Sequence, residues 1–139
     1  MMMKRIPTYA LFITALGTSF AAVGPAYADS CWTHNSSIMR LKAEGQQRQF
    51  IYERPRSGLS VTKGTLLFNG VNKGGKYEGT ARVFSKFCPG NPAEYYVEGP
   101  VSNNQTRVTM TGTRAVYDGC VETGNVKTDV LVFDYSHKC

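Results

Sequence analysis

Ile38-Met39-Arg40-Leu41-Lys42-Ala43-Glu44-Gly45-Gln46-Gln47-Arg48-Gln49-Phe50-Ile51-Tyr52-Glu53-Arg54 is the stretch that decides the fold. Met39, Leu41 and Ala43 alternate with Arg40 and Lys42, and after Glu44-Gly45-Gln46 the rhythm resumes with Phe50 and Tyr52 opposing Ile51. A period of two places apolar side chains on one face of an extended strand, and a short glycine turn between two such runs defines a hairpin.

The pattern continues outward. Thr65-Leu66-Leu67-Phe68 is a more apolar run suited to cover on both faces, and Asn72-Lys73-Gly74-Gly75-Lys76 is a turn. Tyr77, Gly79, Ala81 and Val83 then alternate with Glu78, Thr80, Arg82 and Phe84. Ala93 to Gly99, Thr106 to Tyr117 and Thr128 to Tyr135 complete the set, the last with Leu131, Phe133 and Tyr135 on one face. No useful length shows helical spacing. The expectation is an all-β, single antiparallel meander of about seven or eight strands, a small barrel or sandwich. Gly79, Gly99 and Gly112 fit either kinks in strongly curved strands or ordinary turns and bulges.

Upstream, Lys4 and Arg5 precede the uncharged stretch Ile6 to Ala28, which ends in Ala26-Tyr27-Ala28. A basic start, an apolar core and a small-x-small ending define a cleaved secretory signal over residues 1–28. Its removal leaves residues 29–139 as one domain of 111 residues, with fourteen Lys and Arg against ten Asp and Glu, a net charge of +4. Plentiful aromatics exclude disorder, the lack of heptads excludes a coiled coil, and one uncharged stretch excludes a polytopic membrane protein. After cleavage the product is periplasmic or secreted, and not an integral membrane protein.

Four cysteines in an exported chain this small are read as two crosslinks, Cys31 to Cys139 and Cys88 to Cys120, each contributing about 3 to 4 kcal/mol. The first joins the opening of the mature chain to its last residue. Seven strands would leave those points at opposite ends of a meander, so either an eighth short strand lies near Val121 to Val126 or the loops make the approach.

Chemistry is sparse. Oxidised cysteines offer no nucleophile. His34 and His137 each lie beside a cysteine and would be gathered by a Cys31–Cys139 bridge, but they match no metal-ligand spacing. Glu94 and Glu98 share a strand face, unlike paired glycosidase carboxylates, which come from separate elements. No catalytic residue, cofactor or metal site is expected. The long connection Arg54-Pro55-Arg56-Ser57-Gly58-Leu59-Ser60-Val61-Thr62-Lys63 offers Arg54, Arg56 and Lys63 to an acidic ligand, beside the plain reading of a solvated basic loop. Trp32 is either a core plug against the first bridge or a stacking face for a ligand. Lys73 and Lys76 form a separate patch at the far end of the intervening strand.

Trp32-Thr33-His34-Asn35-Ser36-Ser37-Ile38-Met39-Arg40-Leu41, Tyr52-Glu53-Arg54-Pro55-Arg56-Ser57-Gly58-Leu59, Gly64-Thr65-Leu66-Leu67-Phe68, Gly79-Thr80-Ala81-Arg82-Val83-Phe84 and Tyr96-Val97-Glu98-Gly99-Pro100-Val101 together carry a resemblance. The chain resembles an uncharacterised family of small exported alphaproteobacterial β-rich proteins, similar to a module found C-terminal to caspase-like peptidase domains. That resemblance implies an appendable all-β interaction unit and transfers no active site. The expected function is a non-catalytic binding module of the cell envelope. Its partner is an acidic envelope polymer or a periplasmic or extracellular protein, and not nucleic acid. The alternatives are a periplasmic inhibitor of a cell-wall hydrolase such as lysozyme, and an enzyme whose site lies near the two histidines.

Overall fold

A computed structural model describes residues 29–139; the signal expected at 1–28 lies outside them. Eight antiparallel strands close into one barrel in simple sequence order: β1 Asp29–His34, β2 Ser37–Glu44, β3 Gln47–Arg54, β4 Leu66–Lys73, β5 Lys76–Val83, β6 Ala93–Ser102, β7 Arg107–Asp118 and β8 Val121–Lys138. β1 closes the circle by pairing with both β2 and β8. The all-β meander expected from the alternation is therefore a barrel.

The needed eighth strand is β1, and not a separate strand at Val121 to Val126, which belongs to the long β8. With β1 in place, Asp29 and Lys138 fall at the same end, and the Cys31–Cys139 disulfide forms there. The second disulfide, Cys88–Cys120, ties the β5–β6 loop to the tip of the β7–β8 hairpin.

Inward positions follow the period-two reading. Met39, Leu41, Phe50, Tyr52, Phe68, Tyr77, Ala81, Val97, Val108, Met110, Leu131 and Phe133 form one buried cluster with Trp32. Phe50 and Phe133 stack at 3.9 Å, and Phe68 stacks on Tyr77 at 6.3 Å. The barrel axis is thus filled with side chains, one of the two outcomes open to a barrel of this strand number. Leu67 and Phe68 are both buried although adjacent, as the apolar run at β4 anticipated.

Gly70, Gly79, Gly99 and Gly112 mark where strands approach too closely for any side chain. A Cβ on Gly79 would collide with the Asn69 carbonyl, and one on Gly99 with the Thr109 carbonyl. None of the four has a positive φ, so they serve barrel curvature and not turns. Positive φ falls mostly on turn and loop residues such as Gly45, Gly74 and Gly75, and on Asn35 and Ser36, which make the tight β1–β2 turn; Gly124 within β8 is an exception.

Candidate functional site

The two ends of the barrel differ. One carries the short turns 44–47, 73–76 and 102–107. The other carries the β1–β2 turn, the long β3–β4 and β5–β6 loops and the protruding β7–β8 hairpin. Long loops on a closed scaffold are where binding groups collect, and several polar side chains of the strands, His34, Tyr95, Arg114 and Asp129, lie at this end too.

His34 ends β1 with its ring stacked on Phe133 at 4.3 Å. Its Nδ1–H donates to the Val132 carbonyl at 2.8 Å, which leaves Nε2 as the acceptor, with Asn35 Nδ2 at 3.4 Å. Burial holds the imidazole below its ordinary value, the Val132 hydrogen bond opposes that shift, and the Arg56 charge adds to it. Burial raises the Tyr52 phenol, and Arg56 acts in the opposite direction. Arg56 itself is fixed by its backbone: its N–H donates to the Ser37 hydroxyl at 2.9 Å, and Ser37 is buried. The result is an exposed arginine whose charge acts on a buried imidazole and a buried phenol and disfavours the imidazolium.

A second group occupies the same end. Tyr95 on β6 and Arg114 on β7 both donate to Asp129 Oδ2 on β8, the tyrosine at 3.2 Å. Asp129 shares the inward face of Leu131 and Phe133, and Arg114 shares that of Val108 and Met110. Burial first, then the Asp129 charge, drives the Tyr95 phenol far above its ordinary value. With Arg114 and Tyr95 spent on one carboxylate, the triad braces the mouth as a structural girdle. Between the two long loops, Val61, Thr62, Phe84, Cys88, Pro89 and Pro92 line a cleft of about 250 Å³.

The residues singled out in the sequence divide as follows. Arg54 and Arg56 make no ion pair among the described residues, whereas Lys63 pairs with Glu53 at 3.2 Å, and Glu53 also takes Arg40 at 2.9 Å. Lys63 therefore belongs to an ion-pair network that leaves the two arginines as the free cations of this loop. Trp32 is buried inside the barrel, edge-on to Phe50 at 5.9 Å and donating from Nε1 to Ser30 Oγ at 2.7 Å. That is the core-plug arrangement.

The two histidines are not gathered by the Cys31–Cys139 bridge. His137 lies opposite Cys31 at the disulfide end, while His34 sits at the other end of β1. Extended strands separate rather than unite residues near the two ends of one pairing. Lys73 and Lys76 lie at the short-turn end and pair with Glu78, Lys76 also with Glu98. Glu94 pairs with Arg82.

Sequence reading missed the triad and the role of His34 at the mouth. A signal was present: Arg114 continues the alternation of Val108, Met110 and Gly112, and Asp129 that of Leu131 and Phe133, so each charge falls next in line on an apolar face.

No protein-family model matches the chain, and no curated protein does. Among solved structures, it is similar to rhizavidin in its crystallised complex with biotin, with a TM-score of 0.55 and 14% identity over 81% of this chain and 94% of that one. At that identity the similarity shows a shared barrel fold.

Proposed function

We propose that this chain is an exported, non-catalytic binding module of the cell envelope whose mouth takes an acidic ligand. The observation that carries the reading is Arg56: its backbone is anchored to a buried serine, and its guanidinium has no carboxylate partner among the described residues. Arg54 adds a second free cation two residues away, so carboxylates or phosphates are the groups such a mouth recognises. Two disulfides support an oxidising compartment, the periplasm or outside the cell. That a barrel of similar fold holds biotin in rhizavidin supports a binding role over catalysis. Here Phe50 and Phe133 fill the axis, so the ligand sits at the mouth and on the loops, not in the barrel centre.

The test is binding of an acidic polysaccharide, polygalacturonate, to the purified domain at low salt. Changing Arg54 and Arg56 together to alanine is expected to weaken binding several-fold, while changing Lys73 and Lys76 at the opposite end leaves it close to the parent's. Equal binding by parent and the arginine variant would overturn the assignment. Tight one-to-one binding of a lysozyme with loss of its activity would replace it with the inhibitor reading. For that reading the disulfide-stapled β7–β8 hairpin supplies a rigid protrusion.

A further inference from the structure

β8 has a neighbour on each side only over part of its length. β7 pairs with it from Val121 to Asp134, but β1 pairs only from Asp134 to Lys138. On the β1 side, Val121 to Val130 is therefore a free strand edge among the described residues, in the hairpin arm that extends past the β1 and β6 pairings.

The polarity of that edge follows from two hydrogen bonds. The Tyr135 N–H donates toward β7, to the Thr106 carbonyl, and the Val132 carbonyl points the other way, to His34. Antiparallel strands alternate their backbone groups side to side, so Val126, Thr128 and Val130 direct N–H and C=O outward from the edge. Val126 and Val130 are 70% and 59% exposed. A free edge of β-branched residues is a template for pairing with another strand.

We propose that this edge pairs antiparallel with the same edge of a second copy of this chain, about a twofold axis at Thr128. In that register Val126 faces Val130 of the copy, and Lys127 faces Asp129 of the copy, each contact occurring twice. The segment is thus complementary to itself in shape and charge. Lys127, which has no ion pair among the described residues and sits opposite Arg114 in its own hairpin, gains an acidic neighbour. A register moved by one pair of residues would set Lys127 against Lys127. The paired stretch is bounded on both sides. Beyond Val132, β1 covers the edge, and toward the tip Gly124, at a φ of 85°, and the register shift between Ala115 and Tyr117 turn the hairpin away. The two barrels lie at opposite ends of the shared ribbon, and the small contact gives a concentration-dependent dimer.

Sedimentation of the intact domain across the micromolar range tests this, with Thr128→Pro as the main variant. Proline there removes an outward N–H and leaves the β7 ladder untouched, so a shift to monomer is expected. Val130→Lys serves as a second disruptor, and unchanged far-ultraviolet circular dichroism establishes that each variant folds. Thr128→Cys is expected to give a covalent dimer under mild oxidation. A parent that stays monomeric throughout, or a dimer indifferent to both folded disruptors, overturns the proposal, including the case in which the edge takes an unrelated peptide.

Discussion

The rings of Phe50 and Phe133 lie face to face, 3.9 Å apart and 8° from parallel, although β3 and β8 are not neighbours in the barrel. Their contact crosses the barrel axis, and His34 extends the stack from the other face of Phe133. Both phenylalanines are fully buried. Truncating either to alanine leaves a cavity that neighbouring strands, fixed by their ladders, cannot close, and is expected to cost about 3 to 5 kcal/mol. Urea titration followed by tryptophan fluorescence measures it through Trp32, which touches Phe50. A loss below about 1 kcal/mol would mean that the barrel collapses around the gap.

Gly79 and Gly45 should respond oppositely to a side chain. At Gly79 a Cβ meets the Asn69 backbone, so Gly79→Ala is expected to destabilise by about 1 to 3 kcal/mol. At Gly45 the space is open and φ is 57°, a conformation that asparagine tolerates, so Gly45→Asn should leave the denaturation midpoint nearly unchanged. Comparable losses at both would show that curvature does not depend on the inward glycines.

The two disulfides close loops of different length, 108 and 32 residues in separation. Chain entropy alone assigns about 5 kcal/mol to Cys31–Cys139 and about 4 kcal/mol to Cys88–Cys120. Replacing the first pair by serine is therefore expected to lower stability more. Replacing the second should chiefly loosen the hairpin tip, seen as faster amide exchange near Val121 with the barrel core still protected. Equal protection at the tip with and without Cys88–Cys120 would contradict this division.

His34 gives stability a pH dependence with a definite sign. Its imidazole is held below the ordinary value of 6.5, so the unfolded chain takes up a proton in a range where the folded chain does not. Stability should fall as pH drops below 6.5 and level off once the folded imidazole titrates. Arg56→Ala removes a charge that disfavours the imidazolium and is expected to move the titration upward, toward 6.5, as read from the imidazole proton shifts. An unmoved titration would show that Arg56 does not face the mouth, and would weaken the acidic-ligand reading with it.

Alternation, with the apolar run at β4, made seven of the eight strands and most of the core legible, because Met39, Leu41, Phe50, Tyr77, Val97, Leu131 and Phe133 repeat at a period of two. β1 escaped because its inward residues are Ser30, Trp32 and His34, two of them polar, so six residues gave no apolar rhythm. Cysteine placement still pointed to closure, since joining Cys31 to Cys139 demands an even number of strands. The mouth was harder to read. Tyr95, Arg114 and Asp129 come from three strands and meet only through the barrel's register, which no local pattern encodes. Arg56 was visible as a loop cation, but its anchoring to Ser37 and its bearing on His34 required the β3–β4 loop to fold back over β1 and β2.

The bond between Cys31 and Cys139 turns the folded domain into a covalent ring, since the backbone from β1 to β8 and one sulfur–sulfur link form a closed path. A protease that cuts one exposed turn, for instance at Gly74-Gly75, therefore releases nothing. The nicked chain gains only the mass of one water, keeps its strand ladders, and yields two separate pieces only when the disulfides are reduced. For a small disulfide-bonded domain, a single cut is an event it can survive.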